Sequence, residues 1–456
     1  MKKIVNFENL ICLAFFCLPL YLVRFEIYGI PTNVWEILVG IVLILWALSC
    51  CGRRDALQCV STDVVYKKYF YPVALMSVGL TVSTYVNMYV IDYVHSLGII
   101  KSWFVLPALF FVSARSIVPR EKIDNVFTAY YFSALAVAII SLGYYLAGAV
   151  TFDGRLQGIF NSPNYLAMYL SPGIIGGLFL LLSAVERVNS YGQKIQNENL
   201  KNKNDNAKLK IIFYIIYLLI IFFVVYKTYS YSAWIAVFIS LLITQAIKTM
   251  CHPERSARLP ARQGAESRDL AANSGKDVLW QLLKNKINKK HIVTIAILVV
   301  LFFSQVNNKK FTDFINFDER SSLSSRVMIW KSAGKILEDN WILGIGPGNF
   351  QDKYLEYQKH FPPYLEWAVP HPHNLFLAFW LAGGILGLVG FLWLVGLFFK
   401  DVFAMINVET PRRGVSMDAL YISLAIMLYI LLHGLVDTTY FKNDLAVVFW
   451  MCFLAL

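Results

Sequence analysis

Charged residues are scarce in this chain: Asp, Glu, Lys and Arg make up 15% of its 456 residues, whereas apolar residues make up 57%. A single soluble core cannot bury so much apolar surface. The seven cysteines show no CxxC pair and no zinc spacing, which argues against a disulfide framework or a structural zinc site. An internal repeat of the kind found in inverted-repeat transporters is also lacking. The composition predicts an all-α polytopic membrane protein.

Apolar runs long enough to cross a bilayer, roughly 20 residues each, recur along the chain. We predict about 12 transmembrane helices. They lie near residues 8–23, 32–50, 69–90, 99–118, 125–149, 165–184, 210–227, 229–249, 291–306, 373–399, 417–436 and 442–456. The first run follows Lys2 and Lys3 but lacks a small-residue cleavage site, so it is expected to remain as an anchor.

The distribution of Lys and Arg predicts the orientation, because cytoplasmic loops carry an excess of both. Basic residues outnumber acids in the segments 185–210 and 248–290, which places these segments and both termini in the cytoplasm. Residues 1–306 then form a bundle of spans one to nine, and residues 373–456 form spans ten to twelve. Residues 307–372 become a large extracytoplasmic helical loop between the ninth and tenth spans.

The two basic loops, at about 185–209 and 250–290, are polar and have no helical or strand period, so we predict that they are disordered. Most of the net charge of +12 therefore belongs to the cytoplasmic face. Such a charge favours contact with anionic membrane lipids. It does not indicate a nucleic-acid partner.

The extracytoplasmic loop is expected to contain two helices. Serines from Ser322 to Ser325 can cap the first, whose apolar residues recur at helical spacing until Asn340. The second runs from about Asn349 to His360, and together they suggest an amphipathic lid over the bundle. The GIGPGNF turn between them lacks the strand, the lysine and the Ser or Thr of a phosphate-binding loop. It is interpreted as structural.

Two arginines at the predicted membrane edge are candidates for binding phosphate. A guanidinium is planar and can grip two phosphate oxygens at once, so Arg155 and Arg326 facing one cavity could hold a diphosphate without a metal. Charges at this depth are costly unless they have partners. The alternatives are a loop arginine that binds neighbouring carbonyls for Arg155, and a solvated helix face for Arg326.

The HPHN segment, residues 371–374, stands where a long apolar helix begins. His373 is a candidate general base, because imidazole titrates near neutrality. A metal site at His371 and His373 is disfavoured by the few flanking acids and by Pro372. Capping of the helix by Asn374 and a structural role for an imidazole are the other interpretations.

His433 and Asp437 are four residues apart at the end of a late span, and we expect them to share one helix face. An ion pair that locks the helix to a loop and a supporting role in catalysis are both compatible with this spacing.

Several motifs occur in an order typical of one family. They are GRLQGIFNSPN before the sixth span, the T-x-S segment at Thr228–Ser230, the R-x-x-x-W pattern of Arg326 and Trp330, GIGPGNF, and HPHN followed by Gly384 and Gly387. In these motifs the chain resembles the O-antigen ligase/polymerase superfamily over roughly residues 125–440.

The resemblance implies a glycosyltransferase of the bacterial inner membrane with an extracytoplasmic active site. Members transfer a glycan from an undecaprenyl diphosphate carrier to a second glycan, to the lipid A core or to protein, with neither a nucleotide sugar nor an obligatory metal or other cofactor. His373 would be the base on the acceptor hydroxyl. Arg326 would bind the diphosphate and stabilise its leaving charge, and Arg155 would line the same cavity.

One departure from the family pattern concerns the donor site. Many members carry Arg directly after the serine of the T-x-S segment, where this chain has Tyr231. Lys227 lies one helical turn earlier and could supply the missing cation. We therefore predict that Lys227→Ala weakens transfer strongly, as measured with a lipid-linked donor; unchanged activity would leave this charge without a role.

Three functions remain open. The first is a glycan or O-antigen ligase, and the second is an O-antigen or exopolysaccharide polymerase of the same superfamily, which differs in its acceptor. The third is a non-enzymatic transporter or flippase of lipid-linked glycans. Clustering of Arg155, Arg326 and His373 on one side of the membrane favours chemistry over alternating access.

Overall fold

The computed structural model describes residues 7–27, 30–51, 64–88, 93–192, 198–251, 322–362, 367–407 and 415–456. Among these residues, seven helices are long and apolar enough to cross a membrane, and four apolar helices are shorter. The described chain is thus almost entirely helical, as expected for an all-α membrane protein. The count of twelve spans stays a prediction. Residues 252–321, with the predicted ninth span and most of the predicted loop at 250–290, lie outside the described residues.

The described helices follow one another with a single small sheet. In chain order they are α1 (Phe7–Phe16), α2 (Val34–Cys51), α3 (Val64–Val86), α4 (Tyr93–Ile99), α5 (Leu106–Ile117), α6 (Ile123–Leu146), α7 (Pro163–Gly192), α8 (Glu198–Lys227), α9 (Tyr231–Cys251), α10 (Ser322–Asn340), α11 (Phe350–Tyr357), α12 (Leu375–Ile406), α13 (Met417–His433) and α14 (Asn443–Cys452). A π-helical segment, Ile100–Val105, joins α4 to α5.

A β-hairpin follows α1 and was not predicted from the sequence. Strand β1 (Arg24–Ile27) pairs antiparallel with β2 (Ile30–Asn33), with Arg24 opposite Asn33. The side chains of β1 are exposed. The hairpin leads directly into α2, whose Glu36 carboxylate accepts hydrogen bonds from Thr32 and Ser102.

The prediction of disorder over residues 185–209 is wrong for the described part of that segment. Helix α7 continues to Gly192, and α8 already begins at Glu198. A helix that has been nucleated by an apolar span extends at a smaller cost than a new helix requires, because each added residue brings one more backbone hydrogen bond. Packing contributes as well, because Ala207 is buried.

Helix α12 is kinked at Gly383 and Gly384. The chain segment that follows α10 packs against this kink. Gly384 has φ 62° and ψ −162°, which are not helical angles. The Ile385 amide donates to the Ile342 carbonyl at 3.1 Å, and the Ile345 amide donates to the Leu381 carbonyl at 2.7 Å. A Cβ on Gly384 would lie 2.0 Å from the Ile342 oxygen, so only glycine permits this approach.

Helices α10 and α11 agree with the two helices expected in this segment, including the end of the first at Asn340. Their buried faces form a small core of their own together with α12. This core contains Met328, Ile329, Ala333, Ile336, Leu337, Ile345, Phe350, Tyr354, Val369 and Leu381. The GIGPGNF turn is anchored by structural contacts: Ser96 Oγ donates to the Pro347 carbonyl, and Asn349 Nδ2 donates to the Ile345 carbonyl.

Candidate functional site

A buried carboxylate, Asp437, forms the centre of the candidate site. It lies in the turn after α13, and its side chain is 1% exposed. Oδ1 lies 3.1 Å from His373 Nδ1 and accepts from the Thr438 amide at 2.9 Å. Oδ2 accepts from Asn164 Nδ2 at 3.2 Å. A buried carboxylate needs hydrogen-bond partners to offset the loss of hydration, and here both oxygens have them.

These partners keep Asp437 ionised. Burial by itself would raise the pKa of the carboxyl group. His373, by its charge when it is protonated and by its hydrogen bond, and the Arg326 guanidinium outweigh burial, and they hold the pKa of Asp437 well below its usual range. The group is therefore a carboxylate throughout the physiological pH range.

The position of His373 is fixed from both sides along the chain. Asn374 caps α12, as one interpretation of the sequence expected: its Oδ1 accepts from the Phe376 and Leu377 amides at 3.0 Å. His373 itself has φ 45°, a left-handed conformation that is uncommon outside glycine. The indole of Trp330 donates to the His373 carbonyl at 3.3 Å. These contacts support a backbone conformation that aims the imidazole at Asp437.

The hydrogen bond to Asp437 determines what the imidazole can do. A neutral imidazole has one N–H and one lone pair, and a carboxylate beside Nδ1 favours the tautomer with the proton on Nδ1. Nε2 of His373 then carries the lone pair. The ring is 23% exposed, so this nitrogen can receive a proton from a bound molecule.

Arg326 on α10 approaches the other oxygen of Asp437. Its Nη2 lies 3.6 Å from Oδ2, and its Nη1 donates to Ser322 Oγ at 2.7 Å. Its Nε is buried and has no hydrogen-bond partner among the residues that the structure describes. With the side chain only 14% exposed, the alternative of a solvated helix face does not describe this residue. Arg326 and Trp330 share one face of α10, which explains why the two residues are four apart.

Arg155 joins the same cluster through Asn164. Its Nη2 donates to Asn164 Oδ1 at 2.6 Å, and its Nε donates to the Thr228 carbonyl at 2.7 Å. The alternative of a loop arginine bound to a carbonyl is thus correct in part, but the same side chain also reaches the cluster. Burial lowers the pKa of Arg155, the carboxylate of Asp153 opposes this, and the nearby charge of Arg326 adds to it.

His371 packs beside His373, with 4.6 Å between the ring centroids. Its Nε2 lies 3.2 Å from the Tyr165 hydroxyl and 3.8 Å from Asp437 Oδ1. Burial, and after it the charge of His373, lowers the pKa of His371 to about 3. His371 is therefore neutral at physiological pH, and it positions its neighbours by hydrogen bonding.

His371, His373 and Asp437 bring three possible metal-ligand atoms within 4.8 Å of one another. Two imidazoles and a carboxylate can bind several transition metals. However, the positive guanidinium of Arg326 lies 3.6 Å from the same carboxylate, and its charge opposes a divalent cation there. That the reaction uses no metal stays a prediction.

The expectation that His433 and Asp437 share one helix face is wrong. Helix α13 ends at His433, and the Gly434 carbonyl turns away to accept from the Leu375 amide at 2.7 Å. The buried His433 ring hydrogen-bonds to Ser232 Oγ at 3.1 Å and to the Tyr429 hydroxyl at 2.8 Å. The described ion pairs of Asp437 are instead with Arg326, His371 and His373.

Lys227 makes contacts of a different kind. Its Nζ lies 4.8 Å from the Tyr145 ring centroid, 5.5 Å from that of Phe223 and 5.7 Å from that of Tyr226. Its backbone carbonyl accepts from the Leu156 amide at 2.8 Å, next to Arg155. The ammonium is thus surrounded by aromatic rings, and a role for it in donor binding stays a prediction.

Sequence reasoning missed Asn164, Tyr165 and Lys442. Asn164 ends the GRLQGIFNSPN motif, but its bond to Asp437 joins residues that are 273 positions apart. Tyr165 reads as an ordinary aromatic residue of a span. The signal for Lys442 was a lysine at the start of the last predicted span.

A family model described as O-antigen ligase matches residues 278–392 of the chain. This region contains Arg326, Trp330, GIGPGNF and HPHN, and the match confirms the resemblance to the O-antigen ligase superfamily. Arg155, Asn164 and Asp437 lie outside the matched residues. A search of curated proteins finds no match to the chain.

Proposed function

We propose that this protein is an O-antigen ligase-like glycosyltransferase of the bacterial inner membrane. It transfers a glycan from an undecaprenyl diphosphate carrier to an acceptor hydroxyl on the extracytoplasmic face. One observation carries the proposal: a single buried carboxylate, Asp437, holds the His373 imidazole on one oxygen and has the Arg326 guanidinium near the other. A base and an anion-binding group thus converge within one cluster.

In the proposed reaction, His373 Nε2 takes the proton of the acceptor hydroxyl. The acceptor oxygen attacks the anomeric carbon of the donor sugar and forms the new glycosidic bond. The bond between that carbon and the diphosphate oxygen breaks, and its electron pair leaves with undecaprenyl diphosphate. Asp437 stabilises the imidazolium that forms on His373, because its carboxylate accepts the Nδ1–H throughout.

In the proposed reaction, the arginines stabilise the negative charge that develops on the leaving diphosphate. Within the described part of the chain, the buried Nε–H of Arg326 has no partner, and its Nη2 lies beyond hydrogen-bond distance of Asp437, so both groups can donate to phosphate oxygens. Arg155 lies close enough to Arg326 for the two charges to interact. Donors that are already in place stabilise a leaving oxyanion without reorganisation.

The family match covers both ligases and polymerases, which share this chemistry and differ in the acceptor. A polymerase extending a lipid-linked glycan would use the same base and the same arginines. A base that can take a proton from a hydroxyl, together with arginines that can bind a leaving diphosphate, is what a transfer reaction requires. The cluster therefore supports transfer over transport.

The test measures transfer by the purified chain in nanodiscs, with an undecaprenyl diphosphate-linked glycan as donor. Acceptors are the lipid A core for a ligase and a second lipid-linked glycan for a polymerase. Arg326→Gln should lower the transfer rate by about 10- to 100-fold, because a charge-assisted pair of bonds to the diphosphate is lost. Arg326→Lys should recover little, since an ammonium cannot bridge two oxygens.

Lys331→Gln is the matched control for this variant. Lys331 is an exposed cation on the same helix, so its loss should leave the rate unchanged. Full transfer by the Arg326→Gln variant would refute the proposed donor site. Absence of transfer to either acceptor by the folded wild-type chain would refute the proposed enzyme.

A further inference from the structure

Lys442 presents a second cation beside the site, and the hydrogen bonds and ion pairs of the described residues leave its ammonium without an acceptor. It immediately precedes α14, and its Nζ lies 3.3 Å from the centroid of the Tyr165 ring. Asp444 and Asp437 are the acids that act on it electrostatically, and neither forms an ion pair with it. A half-buried ammonium without an anionic partner is costly and therefore notable.

The two oxygens of Asp437 have different partners. Oδ2 faces Asn164 and Arg326, and Asn164 leads on to Arg155. Oδ1 faces His373 and His371. The arginines and the histidines therefore approach different oxygens of one carboxylate.

A chain of contacts places Lys442 on the histidine side. The Tyr165 hydroxyl lies 3.2 Å from His371 Nε2, and the rings of His371 and His373 are 4.6 Å apart. The Lys442 ammonium lies over the same Tyr165 ring. In the proposed reaction, this is the side on which His373 receives the acceptor hydroxyl.

The Lys442 ammonium is half-buried and stays cationic at neutral pH. Burial lowers the pKa of Lys442 to about 8, Asp444 opposes this effect, and the charge of Arg24 reinforces it. A group with that pKa is still mostly protonated at neutral pH. Arg24 is exposed on β1, and its positive charge acts on Lys442.

We propose that Lys442 binds an anionic group, a phosphate or a carboxylate, on the acceptor saccharide, and that it thereby selects acidic acceptors. The inference rests on the proposed function, because it takes the His373 side as the acceptor side. The arginine side holds the diphosphate of the donor, and the lysine side holds the charge of the acceptor.

The test compares binding of glucose 6-phosphate, glucuronate and glucose to the full chain in nanodiscs. The wild-type chain should bind the two acidic sugars at least about tenfold more tightly than glucose, as expected for a charge-assisted hydrogen bond. Lys442→Gln should abolish this preference, and Lys442→Arg should keep it. Lys335→Gln, which removes an exposed lysine paired with Glu338, should change nothing.

Lys442→Met serves as a second neutral variant, since it keeps an apolar stem against Tyr165 if the glutamine variant unfolds. A wild-type chain that binds glucose as tightly as the acidic sugars would overturn the inference. So would a preference that survives both neutral variants.

Pyrophosphate is the second probe, and it separates this inference from the proposed function. Its binding should fall in Arg326→Gln and remain in Lys442→Gln. If Arg326→Gln binds pyrophosphate as tightly as the wild-type chain does, the assignment of Arg326 to the donor site is wrong, irrespective of the result with the acidic sugars. If Lys442→Gln weakens pyrophosphate binding and leaves acidic sugars unaffected, Lys442 belongs to the donor side and the acceptor assignment is overturned.

Discussion

Replacing His373 with alanine is expected to lower the rate constant of glycan transfer by about 10²- to 10⁴-fold, the range in which a positioned general base contributes. Asp437→Asn should cause a loss of similar size, because an amide cannot hold the Nδ1–H tautomer as a carboxylate does. Both rate constants are measured at saturating donor in nanodiscs. Donor affinity should stay nearly constant in His373→Ala, since the arginines remain in place.

The double variant gives the sharper result. If His373 and Asp437 act as one unit, combining the two substitutions should cost no more than the worse single substitution. Losses that multiply would show that Asp437 acts separately from the base. His360→Ala is the matched control, because this histidine is exposed and lies in the same segment between α10 and α12. It should transfer at the wild-type rate.

The second large effect is expected from Gly384→Ala. Its backbone angles, φ 62° and ψ −162°, are accessible almost only to glycine, and a Cβ would lie 2.0 Å from the Ile342 carbonyl oxygen. Strain of this kind costs about 1–3 kcal/mol, and the clash adds to it. The chain between Ile342 and Gly344 must therefore move away from α12, or the free energy of unfolding must fall.

Thermal unfolding in detergent and limited proteolysis measure this change. Gly396→Ala is the control: it lies in the same helix, and a Cβ there meets nothing within 4 Å. Alanine in a regular helix position is neutral or stabilising by up to about 1 kcal/mol. Equal melting temperatures for both variants would show that the kink tolerates a side chain.

Much of the candidate site could be predicted from single residues and their spacing. The cost of charge near a membrane identified Arg155 and Arg326, and the pKa of imidazole identified His373. Helix ends were readable where a strong local cap or stop exists, as at Asn340 and Asn374. In each of these cases the property that allowed the prediction belongs to one side chain or to residues only a few positions apart.

The remainder depends on contacts between distant segments. Asp437 was paired with His433 because their spacing suits a helix, yet the helix ends between them and the carboxylate turns to His373. Asn164 reaches the site only through the packing of α7 against the turn after α13. Helix α8 begins earlier than its polar sequence suggested, because burial of Ala207 and the apolar run that follows it stabilise the helix. These contacts join residues that are far apart in the sequence, so a local sequence pattern cannot predict them.

The indole of Trp330 and the guanidinium of Arg326 project from neighbouring turns of α10, one toward the His373 carbonyl and the other toward Asp437. In the proposed reaction, a displacement of this one helix would move the Arg326 charge away from the leaving undecaprenyl diphosphate and would also remove the Trp330 hydrogen bond to the backbone of His373. The proposed function would then couple, through one helix, the removal of a proton from the acceptor alcohol to the stabilisation of the departing group.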